Sequence, residues 1–165
     1  LCLINILGFH YMTNILQGDN EELDLNVAII VSEFNKSITE NLLEGTLKAF
    51  LDNGVFEKDI YIIKVPGAFE IPLLSYKLAS SGKFDVLVCI GAVIRGETGH
   101  YDFVASEAAR GISRSSIDTG IPIIFGILTT DNVQQAVDRS GGKYGNKGYD
   151  CGVSAIQMAN IFKSI

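Results

Sequence analysis

The chain of 165 residues is 47% hydrophobic and 19% charged, with 17 Gly, 3 Pro and no Trp, which excludes disordered, collagen-like and low-complexity classes. One domain is the expectation, able to bury roughly 70% of the surface its unfolded chain exposes. A net charge of −6 argues against nucleic acid as a partner, because phosphate-backbone affinity needs a basic surface.

Residues 1–17 are apolar but broken by Asn5, His10 and Asn14, and lack the basic start of a signal peptide. Met12 is a candidate start. Residues 1–13 are expected to form an extension outside the fold, with a single domain over 14–165. No stretch approaches about 18 uninterrupted apolar residues, so no membrane span is expected. Cys2, Cys89 and Cys151 are an odd count, and Cys89 sits in an apolar run. That usage fits a reducing compartment, the cytoplasm.

Four apolar runs follow: 26–32 (NVAIIVS), 59–64 (DIYIIK), 84–90 (FDVLVCI) and 121–128 (IPIIFGIL). They are nearly continuous rather than alternating, as in parallel strands covered on both faces. Amphipathic segments separate them, so the fold class expected is α/β, a three-layer α/β/α sandwich. Ser37 and Glu40 have the spacing of a capping box ahead of a helix that Gly54 closes. A second helix is expected over 69–80, stopping at Gly82, and a third over 101–118, ended by Gly120 and Pro122. A fourth begins after Asp131-Asn132 and ends near residues 140–141, and a last one spans 150–162.

Ligands in open α/β sheets sit outside the carboxyl ends of the strands. The loops to inspect are therefore 33–36, 65–70, 91–100 and 129–132. In the third, Gly96, Thr98 and Gly99 bring bare amides and a hydroxyl to a helix start, a ready anion site. His100 follows, and imidazole is the side chain suited to moving protons near neutrality. The same glycines would also serve a plain turn, with His100 capping the helix. Phe34 and Phe69 could stack a flat heterocycle or simply fill the core. Glu70 could take hydrogen bonds from a polyol or sit at a helix start for its dipole.

Residues 139–148 (RSGGKYGNKG) hold three cations among their glycines. They do not make a Walker loop, because Lys147 is neither preceded by Gly nor followed by Ser or Thr. A flexible helix-to-helix turn is the plain reading. Two histidines in the whole chain make a metal centre improbable. No glycine-flanked serine elbow is present.

Residues 65–72 (VPGAFEIP), 91–102 (GAVIRGETGHYD), 125–130 (FGILTT) and 145–148 (GNKG) together resemble the motif set of the 6,7-dimethyl-8-ribityllumazine synthases. The resemblance runs in order from about Asn14 to the end. It implies a flavodoxin-like fold with a four-stranded parallel sheet, whose N-terminal segment pairs with a neighbouring subunit. It implies condensation of 5-amino-6-(D-ribitylamino)uracil with 3,4-dihydroxy-2-butanone 4-phosphate, releasing phosphate and water, in riboflavin biosynthesis. No metal or organic cofactor is implied. His100 would be the proton-transfer residue. Phe34, Ala68, Phe69, Glu70, Ala92, Val93, Ile94, Phe125 and Lys147 would bind the ribitylaminouracil. Glu97, Thr98, Gly99 and Arg139 would bind the butanone phosphate, with Phe125, Arg139 and Lys147 supplied by the adjacent subunit.

Homo-oligomers are implied too, pentamers that in some members close into an icosahedral shell of sixty subunits, with association with riboflavin synthase. The compact 141–148 turn resembles the shell-forming branch. Gly99 stands where many relatives carry a hydroxyl or alanine, and residues 1–11 have no counterpart. Two other readings are a non-catalytic relative that binds lumazine or flavin or forms a shell, and a Schiff-base aldolase using Lys64 or Lys147.

Overall fold

A computed structural model of the chain describes residues 24–165, together with the backbone of two strands, β1 (Cys2–Ile6) and β2 (Phe9–Thr13). These two pair antiparallel with each other, in a sheet separate from the main one. The domain boundary expected between residues 13 and 14, and the start of the resemblance at Asn14, fall outside the described residues.

The main sheet consists of β3 (Val27–Ser32), β4 (Ile60–Val65), β5 (Val86–Ile94) and β6 (Ile123–Thr130), all parallel, in the order β4-β3-β5-β6. Five helices connect and follow the strands: α1 (Lys36–Asp52), α2 (Ile71–Ala79), α3 (His100–Thr119), α4 (Val133–Arg139) and α5 (Lys147–Ser164). This is the expected three-layer, flavodoxin-like sandwich, because alternate residues of each central strand feed opposite cores. Val27, Ile29, Val31, Val86, Val88 and Ile90 meet Leu42 and Phe50 of α1 and Ile156 of α5. Ala28, Ile30, Leu87 and Cys89 meet Ile71 of α2 and Ala108 and Ile112 of α3. Each fully buried Ile, Leu or Phe contributes about 1.5–3 kcal/mol.

β3 is buried along its whole length and β5 at every residue but the last, as their sequences suggest. The outer strands depart from that expectation. β4 exposes Tyr61 and Ile62, and β6 exposes Phe125, because an edge strand has a neighbour on one side only.

Several boundaries differ from the sequence reading. The capping box does not form: α1 begins at Lys36, its N-cap is Asn35 with φ 57°, and no side chain caps it. Glu40 instead lies 3.5 Å from Lys36 on the helix surface. Residues 91–94, expected in a loop, are the end of β5, because pairing with β6 continues to Ile94 opposite Thr130. Thr129 and Thr130 likewise belong to β6. The second helix is split into a 3₁₀ turn (Ala68–Glu70) and α2.

The expected flexible turn at 139–148 is ordered. Ser140–Gly142 (β7) and Gly145–Asn146 (β8) form a small antiparallel pair, and α5 starts at Lys147 rather than 150. Asn146 explains the earlier start. Its Oδ1 accepts from the amides of Gly148 and Tyr149, while its Nδ2 donates to Asn41 O at 2.7 Å. Among the described residues, no helix is long and apolar enough to cross a membrane.

Candidate functional site

β3 ends at Ser32 and its pairing with β5 stops at Val31 opposite Ile90. β5 runs on to Ile94, so the Ala92–Ile94 stretch overhangs the loop that leaves β3. The chain crosses from β3 to β4 on one side and then from β4 to β5 on the other side of β3, which makes this the topological switch point where open sheets take their ligands.

The loops here are tied by backbone. Glu33 N donates to Val65 O at 2.8 Å and Phe34 N to Pro66 O at 3.1 Å. Asn35 Nδ2 donates to Ala92 O at 2.9 Å, and Asn35 is the residue other than glycine with positive φ among those described. Its left-handed backbone turns the chain sharply into α1 and leaves Phe34 outside the core.

The result is a cleft of about 660 Å³ lined by Phe34, Asn35, residues 66–70, 92–94, Gly96, Thr98, His100, Tyr101, Phe103 and Val104. Phe34 is 71% exposed and Phe69 57% exposed, so neither fills the core. Glu70 stands at the end of the 3₁₀ turn, and its Oε2 lies where a Cβ on Gly67 would come within 3.0 Å. The far end of the cleft is polar. Gly99 is the N-cap of α3, and His100 opens the helix. His100 N is 3.4 Å from Thr98 Oγ1. Asp102 N donates to Gly99 O at 3.1 Å. The amides at this helix start and the positive end of the helix dipole suit an anion.

Of the residues singled out from sequence, Phe34, Ala68, Phe69, Glu70, Ala92, Val93, Ile94, Thr98 and His100 therefore share one cleft. Glu97 and Gly99 are exposed in the adjoining loop but do not line it. Phe125, Arg139 and Lys147 lie elsewhere on the chain. Phe125 is on edge strand β6, 40% exposed. Arg139 ends α4, donates to Gln135 O at 3.0 Å and stacks 5.1 Å over Tyr144. Lys147 holds Asp150 at 2.6 Å. The hydrogen bond to Asp150 keeps the Lys147 ammonium protonated above its ordinary range, the reverse of what an imine-forming lysine requires.

Sequence reasoning missed Asn35, Tyr101, Phe103 and Val104 as lining residues. Phe103 and Val104 lie three and four positions after His100, so helical spacing could have found them, whereas Tyr101, the next residue, is not on that spacing. Asn35 carried no such signal. Burial, and then Asp150, pushes the Cys151 thiol up to about 11, and burial raises Cys89 further. Among the described residues, no group of three or more His, Cys, Asp or Glu could hold a metal ion.

The family described as 6,7-dimethyl-8-ribityllumazine synthase matches residues 24–163, which takes in the whole main sheet, α1 to α4, all of α5 but its last residue, and every residue of the cleft.

Proposed function

The chain belongs to the 6,7-dimethyl-8-ribityllumazine synthase family, and from that premise we propose that it catalyses the family's reaction, a transferase step of riboflavin biosynthesis. It condenses 5-amino-6-(D-ribitylamino)uracil with 3,4-dihydroxy-2-butanone 4-phosphate and releases phosphate and water. One observation carries the reading: an exposed aromatic ring, a carboxylate, a bare strand end and an amide-rich helix start share a single cleft.

In this reading Phe34 stacks on the pyrimidine, and Ala92, Val93 and Ile94 face its edge. Ala68, Phe69 and Glu70 hold the ribityl chain, whose hydroxyls suit a carboxylate acceptor. Thr98 and the amides of Glu97 and Gly99 take the phosphate. The uracil amine attacks the ketone to give an imine with loss of water. His100 then moves the proton whose removal lets phosphate leave. Tautomerisation, ring closure and a second dehydration complete the bicycle. Much of the acceleration comes from holding two substrates in attack geometry.

A phosphate dianion also needs a cation, and the guanidinium of Arg139 has the matching geometry. Arg139, Phe125 and Lys147 lie away from the cleft of their own chain, so they serve the cleft of a neighbouring copy. The active form is then a homo-oligomer, a pentamer or a shell built from pentamers, and assembly is a condition of catalysis.

The test is to mix the protein with both substrates and follow the coloured, fluorescent lumazine, with His100→Ala alongside. The wild type should exceed the uncatalysed background, and the variant should lose about 10²-fold or more in rate with substrate binding little changed. A folded, assembled wild type at background rate would refute the reading and favour a binding or shell role. Equal rates in the two proteins would refute the role of His100.

A further inference from the structure

Between β5 and α3 lies a charged cluster that the proposed reaction leaves without a role. Arg95 donates through Nη2 and Nη1 to the two oxygens of Asp102, at 3.0 and 3.3 Å. Its Nε is 3.5 Å from Asp131, and its guanidinium sits 4.0 Å from the ring centroid of Tyr101. Its backbone N–H donates to Thr130 O at 2.8 Å. One side chain thereby joins the end of β5 to the first turn of α3 and to the residue after β6. The loop containing Gly96 and Gly99 runs between the two points that Arg95 connects. A Cβ on either glycine would meet nothing within 4 Å, so packing does little to hold this loop, and a flexible loop loses entropy whenever it must take one shape.

The cluster also settles a charge conflict. Asp102 stands in the first turn of α3, at the same helix end whose amides suit an anion. A lone carboxylate there would repel a bound dianion. The bidentate contact from Arg95 neutralises it, a geometry that a lysine ammonium does not reproduce. Because its guanidinium is engaged by two carboxylates and a ring, Arg95 acts through the loop rather than as a ligand of its own.

We infer that Arg95 is the positioning residue of the anion site: its clamp on Tyr101, Asp102 and Asp131 holds the loop ahead of His100 in the shape that receives a phosphate monoester dianion. The inference rests on reading the polar end of the cleft as the keto-phosphate site.

Wild type, Arg95→Met, Arg95→Lys and the double variant Arg95→Met/Asp102→Asn decide it, as full-length proteins matched by circular dichroism and assembly size. Each is assayed with either substrate varied, and inorganic phosphate binding is titrated separately by phosphorus NMR. Arg95→Met should raise the KM for the keto-phosphate and the Kd for inorganic phosphate roughly fivefold, as expected for loss of an exposed but multiply bonded clamp. The KM for the pyrimidine should stay within twofold of wild type. Arg95→Lys should recover little, and the double variant only part, since it restores charge balance but not the clamp. Full recovery in either one, equal changes for both substrates, or phosphate binding unchanged in Arg95→Met would each overturn the inference. Wild-type turnover separately tests the reaction, and the phosphate titration decides the role of Arg95 even if no lumazine forms.

Discussion

Replacing Gly148 by alanine should destabilise the fold by about 2–3 kcal/mol. α1 and α5 cross at small residues, with Thr46 and Ala49 against Gly148 and Gly152 and Gly45 against the Asn146 side chain. Thr46 Oγ1 lies 3.0 Å from Gly148 O and 2.9 Å from Leu42 O. A Cβ on Gly148 would stand 2.6 Å from the carbonyl carbon of Leu42 and 2.9 Å from its Cα, where carbon atoms rest about 3.5–4.0 Å apart. The obstacle is backbone, which cannot rotate aside, so the helices must separate by about 1 Å and loosen the contacts beneath them. Overpacking costs typically about 1–3 kcal/mol, and a clash with main chain belongs at the upper end. The folding equilibrium should fall roughly 30- to 150-fold, and Tm by about 5–10 °C. Denaturant and thermal unfolding followed by far-UV circular dichroism, at one protein concentration, measure both. Gly99→Ala is the control: its φ is −68° and a Cβ would meet nothing within 4 Å, so stability should hold or rise by about 0.5 kcal/mol. A Gly148→Ala variant within about 0.5 kcal/mol of wild type would refute the argument that backbone approach dictates glycine here.

Phe34→Ala should raise the KM for the pyrimidine roughly tenfold, the worth of one stacked ring, while leaving stability nearly unchanged because Phe34 is 71% exposed; thermal unfolding and substrate-varied kinetics separate the two effects. Arg139→Ala should raise the KM for the keto-phosphate about tenfold or more, and a change confined to the pyrimidine would place Arg139 in the wrong half of the cleft. In a Cys2→Ser background, a soluble thiol reagent should modify Cys151 slowly at pH 8 and faster as pH rises toward the value of about 11 set by burial. The sign follows from the thiolate being the reactive form, and rapid labelling of the folded protein at pH 8 would contradict it.

The layer architecture was legible because Val, Ile and Leu runs can be buried on both faces only in a parallel sheet under helices. The 65–70 and 91–100 segments were legible as loops lining the carboxyl end of the sheet because they leave strand ends, whereas Ala68, Ala92, Val93 and Ile94 were marked individually only by the resemblance to the family's motifs. What stayed hidden depended on partners remote in sequence. The length of β5 is fixed by β6, which pairs as far as Thr130, and nothing local distinguishes Gly91 in a strand from Gly91 in a loop. The capping-box spacing at Ser37 and Glu40 was overridden because Asn35 turns the chain two residues earlier and bonds to Ala92, 57 positions away. The 139–148 segment reads in sequence as a flexible helix-to-helix turn, but its residues 145–148 dock α5 on α1. Gly148 allows the close approach, and Asn146 caps one helix while bonding to the other. Arg95 gave no signal at all, since its partners Tyr101, Asp102 and Asp131 converge only after folding.

The overhang of β5 past the end of β3 gives selectivity an unusual address. Beyond Ile90 the strand keeps its ladder with β6 but, among the described residues, has no ladder partner on the β3 side, apart from the Ala92 carbonyl taken by Asn35. On the proposed reading, a flat ring bearing alternating donors and acceptors on its edge would stand there as a surrogate strand, completing the pleated array with its own heteroatoms. Recognition written in main chain is indifferent to which small apolar side chains occupy 92–94, so that stretch can vary in sequence without changing what the ring must look like. Shifting the ladder by a single residue would present a different pattern of donors and acceptors, and the protein would then read a different molecule.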